Sequence, residues 1–160
     1  MSEPLPLEVP ELTVHQLIFE SLDDADRDRV AIVDGMTGTE LTFGQLADRV
    51  AAFAGWLAAQ GVQPGDAVGL LAPNGAGFAI AFHGILRAGA TASTINGLYT
   101  ADEVANQLRD ASAVALVTVS PLLPSALAAA AELGLPADRL VVLDGARGHP
   151  SLADILAAGH

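Results

Sequence analysis

The residues that invite a chemical reading are few. Gly75-Ala-Gly77 follows an apolar run and opens a helical pattern, the setting of a dinucleotide-binding turn. The sixth position of that pattern should be small, so that helix and strand can approach closely. Ile80 stands there. An acid should end the following strand to hold a ribose, and Asn96 stands in its place. The turn therefore reads as a strand-to-helix connection, with an NAD-dependent oxidoreductase kept as an alternative. His15, His83, His149 and His160 include no pair at helical metal spacing. His83 follows Phe82 on an apolar helix and reads as a packed side chain. Asp23, Asp24, Asp26 and Asp28 form a carboxylate cluster, but no glycine or bidentate glutamate completes a calcium loop. Asp102 and Glu103 resemble an acid–base pair, yet they fall in the first turn of a helix, where capping and the helix dipole explain them. No serine sits in a G-x-S-x-G elbow. Tyr99, in a polar corner after Asn96, can meet a ligand or pin the loop by its packing and hydroxyl.

What is missing constrains more. There is no cysteine, hence no disulfide, thiolate metal site or cysteine nucleophile. All seven basic residues are arginines, scattered from Arg27 to Arg147. The absence of lysine excludes a Walker-type phosphate loop and a Schiff-base lysine within these residues. A net charge of −12 without a basic patch argues against nucleic acid as a partner. The apolar runs are shorter than the roughly 20 residues a bilayer span needs. The acidic, proline-punctuated start lacks the pattern of a signal peptide. The expected location is cytoplasmic.

The elements that would position these residues follow from periodicity and turn chemistry. Pro4, Pro6 and Pro10 make residues 1–12 an extended arm. Residues 13–160 then read as one domain, of 160 residues in all with the arm, long enough for a sizeable core. Thr13 caps a short helix with Val14, Leu17, Ile18 and Leu22 on one side. Residues 23–29 form a charged connector. Val30–Asp34 and Thr39–Thr42 pair as a hairpin around the Asp34–Gly38 turn. Thr42 and Gln45 have capping-box spacing ahead of a helix whose Leu46, Val50, Phe53 and Leu57 share a face. Val68–Ala72 is apolar throughout, the mark of a strand covered on both faces. Asn74 is the expected cap of a helix burying Phe78, Phe82, Ile85 and Leu86 and ending at Gly89. Strand Thr91–Ile95, a helix boxed by Thr100 and Glu103 with Val104 and Leu108 inward, and strand Val114–Val119 follow. A helix runs from Ser120–Pro121 to Gly134, regular only after Pro124. Strand Leu140–Leu143 and a short helix opened by Ser151 and Asp154 complete the alternation. The expected fold is α/β: a layered, mostly parallel sheet with flanking helices and an N-terminal hairpin.

Four segments in order then resemble the adenylate-forming (AMP-binding) acyl-CoA synthetases, nearest in pattern to the 4-coumarate–CoA ligases. Leu41-Thr-Phe-Gly-Gln-Leu46 is similar to their L-T-Y-x-E-L start, and Gly61-Val-Gln-Pro-Gly-Asp66 with Val68 to their G-V-x-x-G-D-x-V turn. Leu86-Arg-Ala-Gly-Ala90 resembles their (L/R)-(K/R)-A-G-A signature. Asn96-Gly-Leu-Tyr-Thr-Ala-Asp-Glu103, with Gln107, resembles N-P-x-Y-T-x-x-E…Q. Gly97 replaces the usual proline, and Phe43 and Gln45 replace Tyr and Glu. The resemblance implies a ligase that joins a small carboxylic acid to coenzyme A with Mg2+ and ATP, through an acyl-adenylate. It places these residues in the incomplete N-terminal part of an AMP-binding domain, whose remainder is their partner. The family's phosphate loop, S-G-T-T-G-x-P-K-G, and its catalytic lysine have no counterpart here. No catalytic, cofactor-binding or metal residue is thus assigned. The expectation is a scaffold segment, inactive alone, ending near where that loop would follow. A complete, non-catalytic relic or interaction module of the same fold is the second alternative.

Overall fold

A computed structural model describes residues 10–35 and 38–159. The arm expected over residues 1–12 falls mostly outside them, as do two residues of the hairpin turn. The hairpin itself forms: β1 (Val30–Val33) runs antiparallel to β2 (Glu40–Thr42). β3 (Ala67–Leu71), β4 (Thr91–Thr94), β5 (Ala113–Thr118) and β6 (Leu140–Val142) form a parallel sheet in the order β4-β3-β5-β6. Parallel strands need crossovers, and helices supply them: α3 (Ala76–Arg87), α4 (Ala101–Asp110) and α5 (Leu123–Leu133).

Both sheet faces are covered. On one, Val68, Leu70, Ala115, Val117 and Val141 meet α2 (Phe43–Ala59) and α3, with Phe19, Leu41 and α6 (Leu152–Ala157). On the other, Leu71, Ile95, Leu116 and Leu140 meet α4 and α5. All five residues of β3 are buried, as its unbroken apolar run requires.

Local chemistry sets the ends of several helices. Thr42, Thr100 and Ser151 each accept from the backbone N–H three residues on, and Gln45, Glu103 and Asp154 reach back to complete capping boxes. Gly134 closes α5 at φ +68°, a backbone conformation that costs glycine nothing.

Four expectations need correction. The short helix capped by Thr13 forms over residues 14–20, but it is π-wound over Gln16–Glu20 and turns His15 and Phe19 inward. Val14 and Leu17 stand about half exposed. The charged connector contains a one-turn helix, α1 (Asp24–Arg27), capped by Asp23. The residue before α3 is Gly75 rather than Asn74, and no side chain caps that helix. Phe78, Phe82 and Leu86 are only partly buried. The buried face of α3 is Ile80, Ala81, Gly84 and Ile85. Small residues there let α2 approach: a Cβ on Gly84 would lie 2.8 Å from Cδ1 of Phe53.

Candidate functional site

In open parallel sheets, the crevice beyond the carboxyl ends of the strands is the place a ligand can reach, where neighbouring strands send their helices to opposite faces. Here that point lies between β3 and β5. β3 leads to α3 on one face, and β5 leads to α5 on the other. Thr118 holds the two strand ends together. Its buried hydroxyl donates to the Leu71 carbonyl at 3.0 Å.

Three connected hollows occupy the crevice. One of 540 Å³ is lined by Ala72, Pro73, Asn74, Phe78, Thr94, Ile95, Asn96 and Gly97. A second of 390 Å³, more apolar, adds Leu98, Val119, Pro121 and Leu122. The third, toward β6, is lined by Gly75, Gly77, Asp34 and Asp144 among others. The corner after β4 is fixed by its own side chains. Asn96 Oδ1 accepts from Leu98 N–H at 3.0 Å, and the Gln107 amide donates to Thr94 O at 2.9 Å and to Ser93 Oγ at 3.1 Å. Leu98 remains 90% exposed at the rim.

The sequence-derived candidates scatter. Gly75, Gly77 and Asn96 reach the crevice. Tyr99 lies two residues from the lining residue Gly97 and stays partly exposed. Glu103 is occupied as a cap: the N–H and hydroxyl of Thr100 hold its carboxyl below the usual range. In the aspartate cluster, Asp23 caps Asp26 N–H and Asp26 pairs with Arg29 at 2.8 Å. Among the described residues, no group of three His, Asp or Glu could hold a metal ion. His83 packs edge-on to Phe19 and Phe82, and burial lowers its pKa. Sequence reasoning missed the far wall, Val119, Pro121 and Leu122, whose signal is topological.

Chemically the crevice is poor. Its titratable lining residues are Asp34 and Asp144, at the β6 end, and Asp144 Oδ1 accepts from Ser120 N–H at 2.7 Å. No cation lines it. Phosphate groups need cations or converging N–H donors, and among the described lining residues no side-chain cation is present to meet them.

The profile of AMP-binding enzymes matches residues 19–154. The chain belongs to that family. It is 43% identical over 110 residues to 4-coumarate–CoA ligase 5 of Oryza sativa subsp. japonica, covering 67% of this chain and 20% of the relative. It is 37% identical over 131 residues to peroxisomal OPC-8:0-CoA ligase 1 of Arabidopsis thaliana, covering 81% and 23%. The chain thus spans about a fifth of the length of the curated relatives it matches. Among solved structures, an anthranilate CoA ligase in complex with anthranoyl-AMP superimposes with a TM-score of 0.82 at 26% identity, over 96% of this chain and 29% of the other. A benzoate CoA ligase from Burkholderia xenovorans gives 0.79 at 24% identity, over 92% and 28%, a likeness of fold. These similarities do not favour the oxidoreductase reading of Gly75–Gly77. In this member of the AMP-binding family that turn connects β3 to α3.

Proposed function

We propose that these residues build the N-terminal scaffold of an ATP-dependent acid–CoA ligase of the 4-coumarate–CoA ligase type. The whole protein would couple a small carboxylic acid to coenzyme A, with AMP and pyrophosphate as products. The observation that carries the proposal is the 43% identity to a 4-coumarate–CoA ligase over 110 residues, within a chain whose residues 19–154 match the AMP-binding enzyme family. The cation-free crevice supports the scaffold part of it. ATP, Mg2+ and coenzyme A would be held by residues other than these, and residues 13–160 would form part of the AMP-binding domain, docked on its remainder. No site residue is assigned. A cytoplasmic location belongs to the same proposal. No described helix is long and apolar enough to cross a membrane.

The test is carboxylate-dependent ATP–pyrophosphate exchange by the 160-residue protein, with aryl, cinnamic-type and fatty acids in turn. The expected rate is the no-enzyme background. Exchange above background with any acid would show that the adenylating machinery lies within these residues, and the scaffold reading would fall.

A further inference from the structure

The joint between the N-terminal turn and α3 contains a polar contact that the scaffold role does not require. His15 is buried, with 7% of its surface exposed. Its Nε2 lies 2.6 Å from Nη1 of Arg87. A guanidinium has donors and no acceptor, so Nε2 must present a lone pair. His15 is therefore neutral, with its hydrogen on Nδ1. That nitrogen is buried and has no partner.

The surroundings offer a proton little. Phe19 packs against both imidazoles, its ring centroid 5.3 Å from that of His15 and 5.3 Å from that of His83. His83 Nδ1 is also buried without a partner. The groups that act electrostatically on His15 are Arg87 and His83 from α3 and Glu20 from its own turn. Glu20 alone would favour a charged imidazole. Its Oε1 is 4.0 Å away and its side chain is 58% exposed, so solvent weakens the attraction. Burial and the Arg87 charge, in that order, hold the His15 pKa below its ordinary value.

We infer that the His15–Arg87 contact is a pH-gated latch, holding residues 13–22 against α3 while His15 is neutral and releasing them when it takes up a proton. Protonation removes the acceptor and sets two cations face to face. Phe19 is buried and Ile18 and Leu22 pack partly against the core, while Leu12, Val14 and Leu17 are about half exposed, so the His15–Arg87 contact is the polar tie of a segment held otherwise by a few apolar contacts. The core of α2 and the sheet does not depend on it for most of its packing, so release does not require global unfolding. A lowered folded-state pKa means that the released segment binds the proton more readily. The latch is at full strength above the ordinary imidazole pKa of about 6.5 and weakens as pH falls through the folded value. Within that window, each unit of falling pH multiplies the released fraction by up to about tenfold.

Thermolysin cleavage beside Leu17 and Phe19 in the 160-residue protein reads the latch directly. Rates are normalised to an unstructured peptide, and Trp56 fluorescence confirms that the core stays folded. The expected result is a rate that rises as pH falls from 7.5 to 5, by up to about tenfold per unit below about 6.5, on the same linkage argument. His15→Gln, whose amide oxygen still accepts from Arg87 but does not titrate, should be flat. His83→Phe should still rise. A flat profile in the unmodified protein, or an unchanged rise in His15→Gln, overturns the latch. Should His15→Gln fail to fold, the imidazole titration of the unmodified protein followed by NMR decides. A His15 midpoint below about 6.5 that moves upward in Arg87→Gln supports it, and a midpoint at or above about 6.5 overturns it.

Discussion

Gly84→Ala sets two effects of opposite sign against each other. Gly84 lies within α3, and helix propensity alone predicts that alanine there stabilises by about 1 kcal/mol. The structure predicts the reverse. The added Cβ would lie 2.8 Å from Phe53 Cδ1, 3.0 Å from its Cβ and 3.2 Å from its Cγ. Carbon atoms rest at about 3.5–4.0 Å, so α2 and α3 must separate by roughly 0.5–1 Å. Phe53 cannot swing away, because it is fully buried and its own Cβ is among the clashing atoms. Overpacking of this kind costs about 1–3 kcal/mol, and a clash with three atoms of a fixed side chain belongs in the upper half of that range. Subtracting the propensity gain leaves a net loss of roughly 1–2 kcal/mol. For a domain of this size that lowers Tm by about 2–8 °C. Gly77→Ala in the same helix is the control. Its Cβ would meet Leu143 Cδ1 at 3.4 Å, an ordinary contact, so propensity should prevail and stability rise by up to about 1 kcal/mol. Urea unfolding, followed by far-ultraviolet circular dichroism and by the fluorescence of Trp56, measures both. A Gly84→Ala protein as stable as the parent or more so would refute the close approach of α2 and α3.

Other perturbations follow from named contacts. Thr100→Ala removes the cap of α4 and should cost about 1 kcal/mol in urea unfolding, with no comparable loss for Thr91→Ala on the exposed strand edge. The carboxyl of Glu103 is held below its ordinary pKa of 4.5 by Thr100, so its contribution is complete above that value and is lost as pH falls through the lowered one. Glu103→Gln should therefore flatten the acid limb of the stability profile, and a profile identical to the parent's would count against the capping box. Thr118→Val keeps the shape but removes the hydroxyl that donates to Leu71 O, and should cost about 1 kcal/mol. Unchanged stability would mean that the hydroxyl does not tie β3 to β5.

Features set by side chains within a few residues of one another were legible in the sequence. The capping boxes at Thr42, Thr100 and Ser151 needed only their own third neighbours. The hairpin, the fully buried β3 and the parallel alternation followed from turn residues and unbroken apolar runs. Features set across the fold were not. Hydrophobicity marked Phe78 and Phe82 as the inner face of α3, but the close approach of α2 gave that face to Ala81 and Gly84 instead. Thr118 meets Leu71 across 47 positions, and Arg87 meets His15 across 72. No local pattern encodes such pairs. The crevice was half visible: Gly75, Gly77 and Asn96 stood out as motif residues, whereas Val119–Leu122 joined them only through the strand order.

The most direct test of the scaffold account is a chimera. The aligned part of the rice 4-coumarate–CoA ligase, which is 43% identical to this chain, is replaced by the corresponding residues of this protein. ATP–pyrophosphate exchange is then measured with 4-coumarate. The account predicts exchange within about tenfold of the parent ligase and an unchanged preference among acids, because these residues support the site without contributing catalytic groups. A folded chimera that has lost exchange, or that prefers a different acid, would contradict it.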